Sequence, residues 1–112
     1  MKVINKQDTN GRLVYNSDIV CDIVDCAIGE VDGVVKFPEN SRQARDSIRV
    51  EQLEDGSMYI DVYVKLMCDV EVSDVASRIQ SSVKGTIESM TEFKVKSVNV
   101  HVIEVEFDDN ND

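Results

Sequence analysis

A long amphipathic helix that runs directly into a long valine-rich strand constrains the fold of this chain more than any other feature. Between residues 73 and 90, apolar side chains recur at three- and four-residue spacing, which predicts a helix with one buried face. From residue 93 to 107 the period changes to two, as in a half-buried strand. The buried face of the helix is predicted to consist of Val75, Ala76, Ile79, Val83, Ile87 and Met90. This combination predicts an α+β domain but names no reaction.

The apolar residues of the last strand do not keep a single alternation along its length. Its apolar residues fall on odd numbers, then on even numbers, then on odd numbers again: Phe93 and Val95, then Val98, Val100 and Val102, then Ile103, Val105 and Phe107. A β-bulge near Lys96–Ser97 would keep the first two sets on the core face. A second slip is expected at Val102–Ile103.

The first part of the chain predicts a short strand, a helix and another strand. Gly11–Tyr15 is interpreted as a short edge strand. A helix capped by Asn16 or Ser17 follows and ends at Gly29. Val31–Phe37 is predicted to turn into the next strand. The buried stripe of the helix is predicted to consist of Ile19, Val20, Ile23, Val24, Ala27 and Ile28.

The middle of the chain predicts a β-hairpin that leads into the long helix. Glu39–Asp46 lacks a core-sized apolar residue and is predicted to be a surface loop. Ser47–Leu53 and Met58–Met67 alternate apolar and polar residues, and an Asp55–Gly56 turn joins them. Ser73 is the predicted N-cap of the long helix. The predicted fold is a two-layer α+β sandwich in the order β-α-β-β-β-α-β, with both helices on one face of a mainly antiparallel sheet of three to four strands.

Length and charge indicate one domain and exclude several functions. The 112 residues suit a single domain, predicted at residues 11–107 between a flexible N-terminus (1–10) and a disordered acidic tail (108–112). The formal net charge of -10 repels phosphate backbones, so no nucleic-acid binding is expected. No apolar run approaches roughly 18 residues, so no direct membrane insertion is expected. The amino-terminal residues do not resemble a signal peptide, which favours a cytoplasmic protein.

The nucleophilic and titratable residues form no pattern typical of an active site. Cys21, Cys26 and Cys68 match neither a zinc site nor a redox pair, so they are interpreted as small packing residues. His101 is the only histidine and alternates with valines, which favours a solvent-facing strand position over a catalytic or ligand role. The sequence therefore predicts no catalytic residue, no metal site and no cofactor.

A basic cluster is the one feature that favours RNA binding. The cluster lies in or beside the central loop and consists of Lys36, Arg42, Arg45 and Arg49. The order of helices and strands invites comparison with KH domains, which clamp RNA with a Gly-x-x-Gly loop. The sequence contains no such loop and the charge of the whole chain opposes RNA, so this interpretation is less favoured.

Two stretches carry a family resemblance. One runs from residue 11 through the first helix to Glu-Val-Asp-Gly-Val at 30–34, and the other runs from residue 60 to Val-Asn-Val-His-Val at 98–102. Together they resemble the alkaline shock protein family, also called the Gls-type general stress proteins, of Gram-positive bacteria. The central loop is shorter than in many relatives, and Asp69 and Glu92 stand where relatives commonly have glycine.

The resemblance implies a non-enzymatic cytoplasmic protein of the envelope and alkaline stress response. It implies protein partners, including a small anchor protein that holds some relatives at the membrane. We therefore expect a self-associating interaction protein, a homo-oligomer that reaches the membrane only through a partner. The alternative is a regulatory binding partner of an enzyme of fatty-acid synthesis or acyl-group metabolism.

The sheet face that the helices leave uncovered is the predicted partner-binding surface. Alternation places Tyr59, Tyr63, Met67 and His101 on it. Tyrosine and methionine are favoured in interface cores, and a flat sheet face can pair with another surface. The alternative, which the sequence supports equally, is that these residues are ordinary cross-strand neighbours that shield each other.

Overall fold

The computed structural model describes residues 6–7, 13–14, 17–38 and 41–107. The fold is α+β, as predicted, with helices packed against an open, mainly antiparallel four-stranded sheet. The predicted acidic tail, 108–112, lies outside the described residues, as do residues 1–5 and 8–10 of the predicted flexible N-terminus. The elements in chain order are β1 (Lys6–Gln7), β2 (Leu13–Val14), α1 (Ser17–Gly29), β3 (Val34–Val35), α2 (Arg42–Asp46), β4 (Ile48–Gln52), β5 (Ser57–Met67), α3 (Val72–Met90) and β6 (Lys94–Glu106).

The strand β5 forms the centre of the main sheet. Two strands lie end to end along one of its edges, both antiparallel to it: β4 pairs with residues 58–62 and β3 with residues 65–66. Along its other edge, β6 runs parallel to β5 over the whole length of β5. The strands β1 and β2 form a separate two-stranded sheet, so the predicted first strand is not an edge strand of the main sheet.

Alternation along β5 separates a core face from an outer face. The even-numbered residues of β5 are buried, and they pack with the apolar stripes of α1 and α3. The predicted stripes of both helices are confirmed, with Ile19, Ala76 and Met90 half buried at their margins. The fully buried side chains of the two layers include Val20, Val24, Met58, Ile60, Val62, Leu66, Ile79, Val83 and Ile87.

Both predicted irregularities of β6 are present in its pairing with β5. The register shifts twice, and Lys96 and Ile103 are the two extra residues. Burial follows the apolar pattern only in the first half of the strand, where Val95 and Val98 are buried. The apolar residues of the last third, and Phe107 just after the strand, are exposed, contrary to the core pattern: Val102 36%, Ile103 55%, Val105 39% and Phe107 73%.

The loop between β3 and β4 differs from the sequence prediction. Arg42–Asp46, predicted to be part of a surface loop, forms the short helix α2. Ser41 caps this helix, because its Oγ accepts a hydrogen bond from the Ala44 N–H at 3.0 Å. A five-residue helix without a buried residue has no apolar period, so periodicity does not reveal it. Before this loop, the predicted turn into a short strand is present, because turns continue from the end of α1 to Gly33 and β3 covers only Val34–Val35.

The ends of α3 are capped in ways that the sequence does not indicate. Glu71 is the N-cap instead of Ser73. At the other end, the buried Thr91 Oγ1 donates to the Ile87 carbonyl at 2.8 Å and accepts from the Phe93 N–H at 3.0 Å. The threonine hydroxyl thus ends the helix without a glycine at the next position.

Candidate functional site

The outer face of the sheet carries all four predicted partner-binding residues. We define it as the odd-numbered side chains of β5 with their partners on β6, on the side away from α1 and α3. Tyr59 is 37% exposed, and Tyr63 and Met67 are half buried. His101 is exposed and directed away from the core, as predicted. The cross-strand pairs along this face are Tyr59–Ser97, Asp61–Asn99, Tyr63–His101, Lys65–Glu104 and Met67–Glu106.

A stacked pair of rings forms the centre of the outer face. The ring centroids of Tyr63 and His101 are 4.5 Å apart and their planes differ by 16°. Tyr59 and Met67 lie four residues to either side of Tyr63, about 13 Å away along the strand. The structure therefore brings two of the four predicted residues together, and the other two flank them as separate positions.

Asp61, two residues before Tyr63 on β5, is hydrogen-bonded to the His101 ring of this stacked pair. Its Oδ1 lies 3.0 Å from His101 Nε2 and accepts a hydrogen bond from Asn99 Nδ2 at 3.2 Å. The hydrogen bond with His101, with a smaller contribution from Asn99, lowers the pKa of Asp61. Asp61 and Asn99 were not predicted to belong to the site, because alternation within one strand does not reveal which strands are neighbours.

Lys65 connects the outer face to two other elements. Its Nζ lies 3.7 Å from Glu104 Oε1 on β6 and 5.4 Å from the centroid of the Phe37 ring, which follows β3. Exposed ion pairs and cation–π contacts each contribute at most about 1 kcal/mol. These contacts therefore mainly orient the lysine along the surface of the sheet.

A groove of about 550 Å³ lies where β3 and β4 leave a gap along β5. Within this gap the Tyr63 N–H donates to the Ser47 carbonyl at 2.8 Å. The helix α1 contributes carboxylates and a thiol to the groove, and the segment after β3 contributes an ammonium group and a ring. These lining residues are Asp22, Asp25, Cys26, Lys36 and Phe37. Tyr63 also lines this groove, whereas Asp61 and His101 do not.

Thiols and carboxylates are the groups of this chain that could serve metal binding or nucleophilic chemistry. All three cysteines are free, and Cys26 and Cys68 are exposed. Burial, together with the nearby Asp18 and Asp22, raises the pKa of the Cys21 thiol and so disfavours its thiolate. In the part of the chain that the structure describes, no three or more His, Cys, Asp or Glu side chains are placed to hold a metal ion. None of the described helices is both long and apolar enough to cross a membrane.

Removal of the His101 imidazole is expected to raise the pKa of Asp61. In His101→Ala the carboxylate loses a hydrogen-bond partner, so its pKa should move up toward the ordinary value of an aspartate. Because the pKa of Asp61 is lower in the folded than in the unfolded state, the interaction stabilises the fold at pH values above the unfolded-state pKa. This stabilisation is lost as the pH falls through the folded-state pKa. An NMR titration of the ¹³C-labelled carboxylates measures the change.

A matched variant separates the hydrogen bond from the stack. His101→Phe keeps a ring against Tyr63 but has no donor, so it should raise the pKa of Asp61 as His101→Ala does. An unchanged Asp61 pKa in both variants would show that the imidazole does not bond to this carboxylate.

Comparisons with known proteins agree with this fold. Residues 5–107 match the model of a family that covers the alkaline shock proteins and is described as having a cell envelope-related function. The uncharacterized protein YqhY of Bacillus subtilis is 25% identical over an alignment of 116 positions, which covers 94% of this chain and 85% of YqhY. The uncharacterized protein Spy1535 of Streptococcus pyogenes is 31% identical over 101 residues, which cover 82% of this chain and 77% of Spy1535.

Solved structures of MamM-CTD variants share the fold at low sequence identity. One double variant is 15% identical with a TM-score of 0.59, and the match covers 80% of this chain and 95% of that chain. A zinc form is also 15% identical with a TM-score of 0.55, covering 85% and 92%. The fold is shown by these structures, whereas the family is shown by the sequence match. This chain belongs to the family that covers the alkaline shock proteins and is described as having a cell envelope-related function.

Proposed function

We propose that this protein is a non-enzymatic interaction protein of the envelope and alkaline stress response, which acts through self-association and protein partners. The observation that carries this proposal is the outer face, where a Tyr–His stack lies on a sheet surface opposite the helices. Aromatic side chains on a flat surface suit a protein–protein contact, because they bury a large area at little cost in conformational entropy.

The family supports the cellular setting that we propose for this function. A cell envelope-related function supports a role at or near the membrane. The resemblance to Gls-type proteins of Gram-positive bacteria supports a cytoplasmic protein, and because a small anchor protein holds some relatives at the membrane, we propose the same attachment here. The outer face would then be the surface that such an anchor, or another envelope protein, contacts.

The geometry of the titratable groups supports binding over catalysis. An acid–base site generally holds its groups in a pocket that excludes water, whereas the side chains of Asp61 and His101 are 34% and 44% exposed. The groove beside β3 contains neither of these two residues. The thiol pKa of Cys21 is raised, which is unfavourable for a nucleophile.

Tyr63→Glu is expected to abolish partner binding and leave the chain folded. The new carboxylate lies beside Asp61 on β5 and removes the stack with His101, so an apolar partner surface would have to desolvate two negative charges. Affinity purification of the tagged full chain from its native cell should show at least a tenfold loss of captured partner. The variant is expected to stay folded because Tyr63 is only half buried. Circular dichroism checks this.

Ser81→Glu is the matched control, since it adds the same charge on an exposed position of α3. An envelope or anchor protein retained by the parent and the control, but lost by Tyr63→Glu, would support the proposal. If the proteins lost by Tyr63→Glu are instead enzymes of acyl-group metabolism, the result would favour the alternative that this chain regulates such an enzyme. Equal capture by all three chains would remove the outer face as the binding surface.

A further inference from the structure

We propose that two copies of this chain pair through the outward edge of β6, antiparallel about a two-fold axis at Val100, to form one continuous sheet. The pairing rests on the proposed self-association and assigns it to a defined surface and partner, a second copy. Within the described ranges, β6 is paired only with β5, so its other edge resembles the unpaired strand edges that readily add a strand.

Hydrogen bonds in the first half of β6 show which backbone groups point to this edge. The Val98 carbonyl accepts from Gln80 Nε2 on α3 at 3.0 Å. The Val95 N–H donates to Glu88 Oε2 on α3 at 2.9 Å. Both groups are therefore directed to the edge away from β5.

Backbone directions in the second half of β6 follow from the end of the strand. The Glu106 carbonyl accepts from the Cys68 N–H at 2.9 Å, so the backbone of Glu106 faces the β5 side. Neighbouring strand residues direct their backbone groups to opposite edges. Counting back from Glu106 and forward from the first half assigns three more residues to the outward edge: Val100, Val102 and Val105.

The spacing of these edge-facing valines is symmetric about Val100. Lys96 and Ile103 are the extra residues on either side, so the edge-facing valines lie two and five residues from Val100 in both directions. An irregular strand normally pairs poorly with another strand, because the bulge disrupts the ladder. Here each irregular segment would meet a segment of equal length in the second copy. The paired residues would be Val100 with Val100, Val98 with Val102, and Val95 with Val105.

The charges of β6 are complementary in the same register. The strand begins with Lys94 and Lys96 and ends with Glu104 and Glu106, and all four residues are exposed. Antiparallel pairing about Val100 places Lys94 opposite Glu106 and Lys96 opposite Glu104 of the second copy. Opposite charges across a pair of strands are stabilising and select the register, whereas parallel pairing would bring like charges together.

Pairing would also cover the exposed apolar end of the strand. Val102 and Val105 are 36% and 39% exposed, whereas Val98 and Val95 are 6% and 3% exposed. In this register, each exposed valine lies beside a buried valine of the second copy. The exposed end of one copy therefore extends the core of the other.

Two features of the single chain oppose pairing and keep it reversible. The Val98 carbonyl has a second lone pair and can retain Gln80, but Glu88 must release the Val95 N–H. The formal net charge of -10 on each copy adds a general repulsion. A concentration-dependent dimer is therefore expected.

Charge reversal at the two ends of β6 tests the pairing. The basic-end variant is Lys94→Glu with Lys96→Glu, and the acidic-end variant is Glu104→Lys with Glu106→Lys. Each variant alone places like charges opposite each other, so sedimentation equilibrium should show self-association weakened by about tenfold or more relative to the parent. An equimolar mixture of the two variants should restore a dimer, because opposite charges meet again.

Arg42→Glu with Arg45→Glu is the matched control for net charge, on exposed positions of α2. A parent that stays monomeric at all concentrations, a basic-end variant that dimerises as well as this control, or a mixture that fails to restore the dimer would each overturn the pairing. Self-association lost in Tyr63→Glu but kept in both end variants would also overturn it and assign the contact to the outer face. Partner capture that still depends on Tyr63 in a monomeric parent would overturn self-association and leave the partner-binding part of the proposed function intact.

Discussion

Ile79→Ala is expected to lower the free energy of unfolding by about 2–5 kcal/mol. Ile79 is completely buried in the middle of α3, within the core that the helix forms with the sheet. The substitution removes apolar area from that core and leaves a cavity. A typical domain has a total stability of about 5–15 kcal/mol, so the expected loss is a large share of it.

Lys84→Ala is the control for this prediction, because it changes an exposed residue of the same helix. Lysine and alanine have similar helix propensities, so the control should change the free energy of unfolding by less than about 0.5 kcal/mol. Denaturant melts of the three chains measure both effects. An Ile79→Ala change as small as that of the control would show that the buried face of α3 is wrongly assigned.

Gly33→Ala is expected to destabilise the fold by about 2–5 kcal/mol, the sum of a conformational and a steric cost. Gly33 has φ +96, a conformation that costs a residue with a side chain about 1–2 kcal/mol. A Cβ at this position would also lie 2.6 Å from Val70 Cγ1, and relief of that overlap costs about 1–3 kcal/mol. This glycine belongs to the Glu-Val-Asp-Gly-Val stretch that carried the family resemblance. Its close approach to Val70 explains why the stretch has a residue without a side chain at this position.

Gly56→Ala separates the two causes. Gly56 has a similar φ of +88 in the turn before β5, but nothing lies within 4 Å of a Cβ built there. The control should therefore show only the conformational cost of about 1–2 kcal/mol. Equal losses for both variants in denaturant melts would mean that Val70 moves aside without cost.

The long helices and strands that have one buried face were predictable from the sequence. The apolar period of α3 identified its buried residues, and the changes of phase in β6 located both register shifts. Long elements repeat their period several times, so a single mismatch stands out. The short helix α2 has no buried residue and no period, and only its Ser41 cap signals it.

The exposure of the end of β6 was not predictable from the sequence pattern. Apolar residues alternate with glutamates there, as apolar and polar residues do in a strand with one face in the core. Their exposure depends on where α3 begins and ends over the sheet, which is a tertiary property. The same limit applied to the outer face. Alternation placed Tyr63 and His101 on it, but only the parallel pairing of β5 with β6 brings Asp61 and Asn99 to them.

Site-specific cross-linking in the native cell tests the central claim, that a protein partner binds the outer face. A photoreactive phenylalanine analogue in place of Tyr59 lies on the exposed part of this face, and the same analogue in place of Lys84 lies on the exposed side of α3. We predict a discrete cross-linked envelope protein from position 59, which Tyr63→Glu abolishes, and no such product from position 84. Cross-links from position 84 alone, or from neither position, would contradict a partner on the outer face.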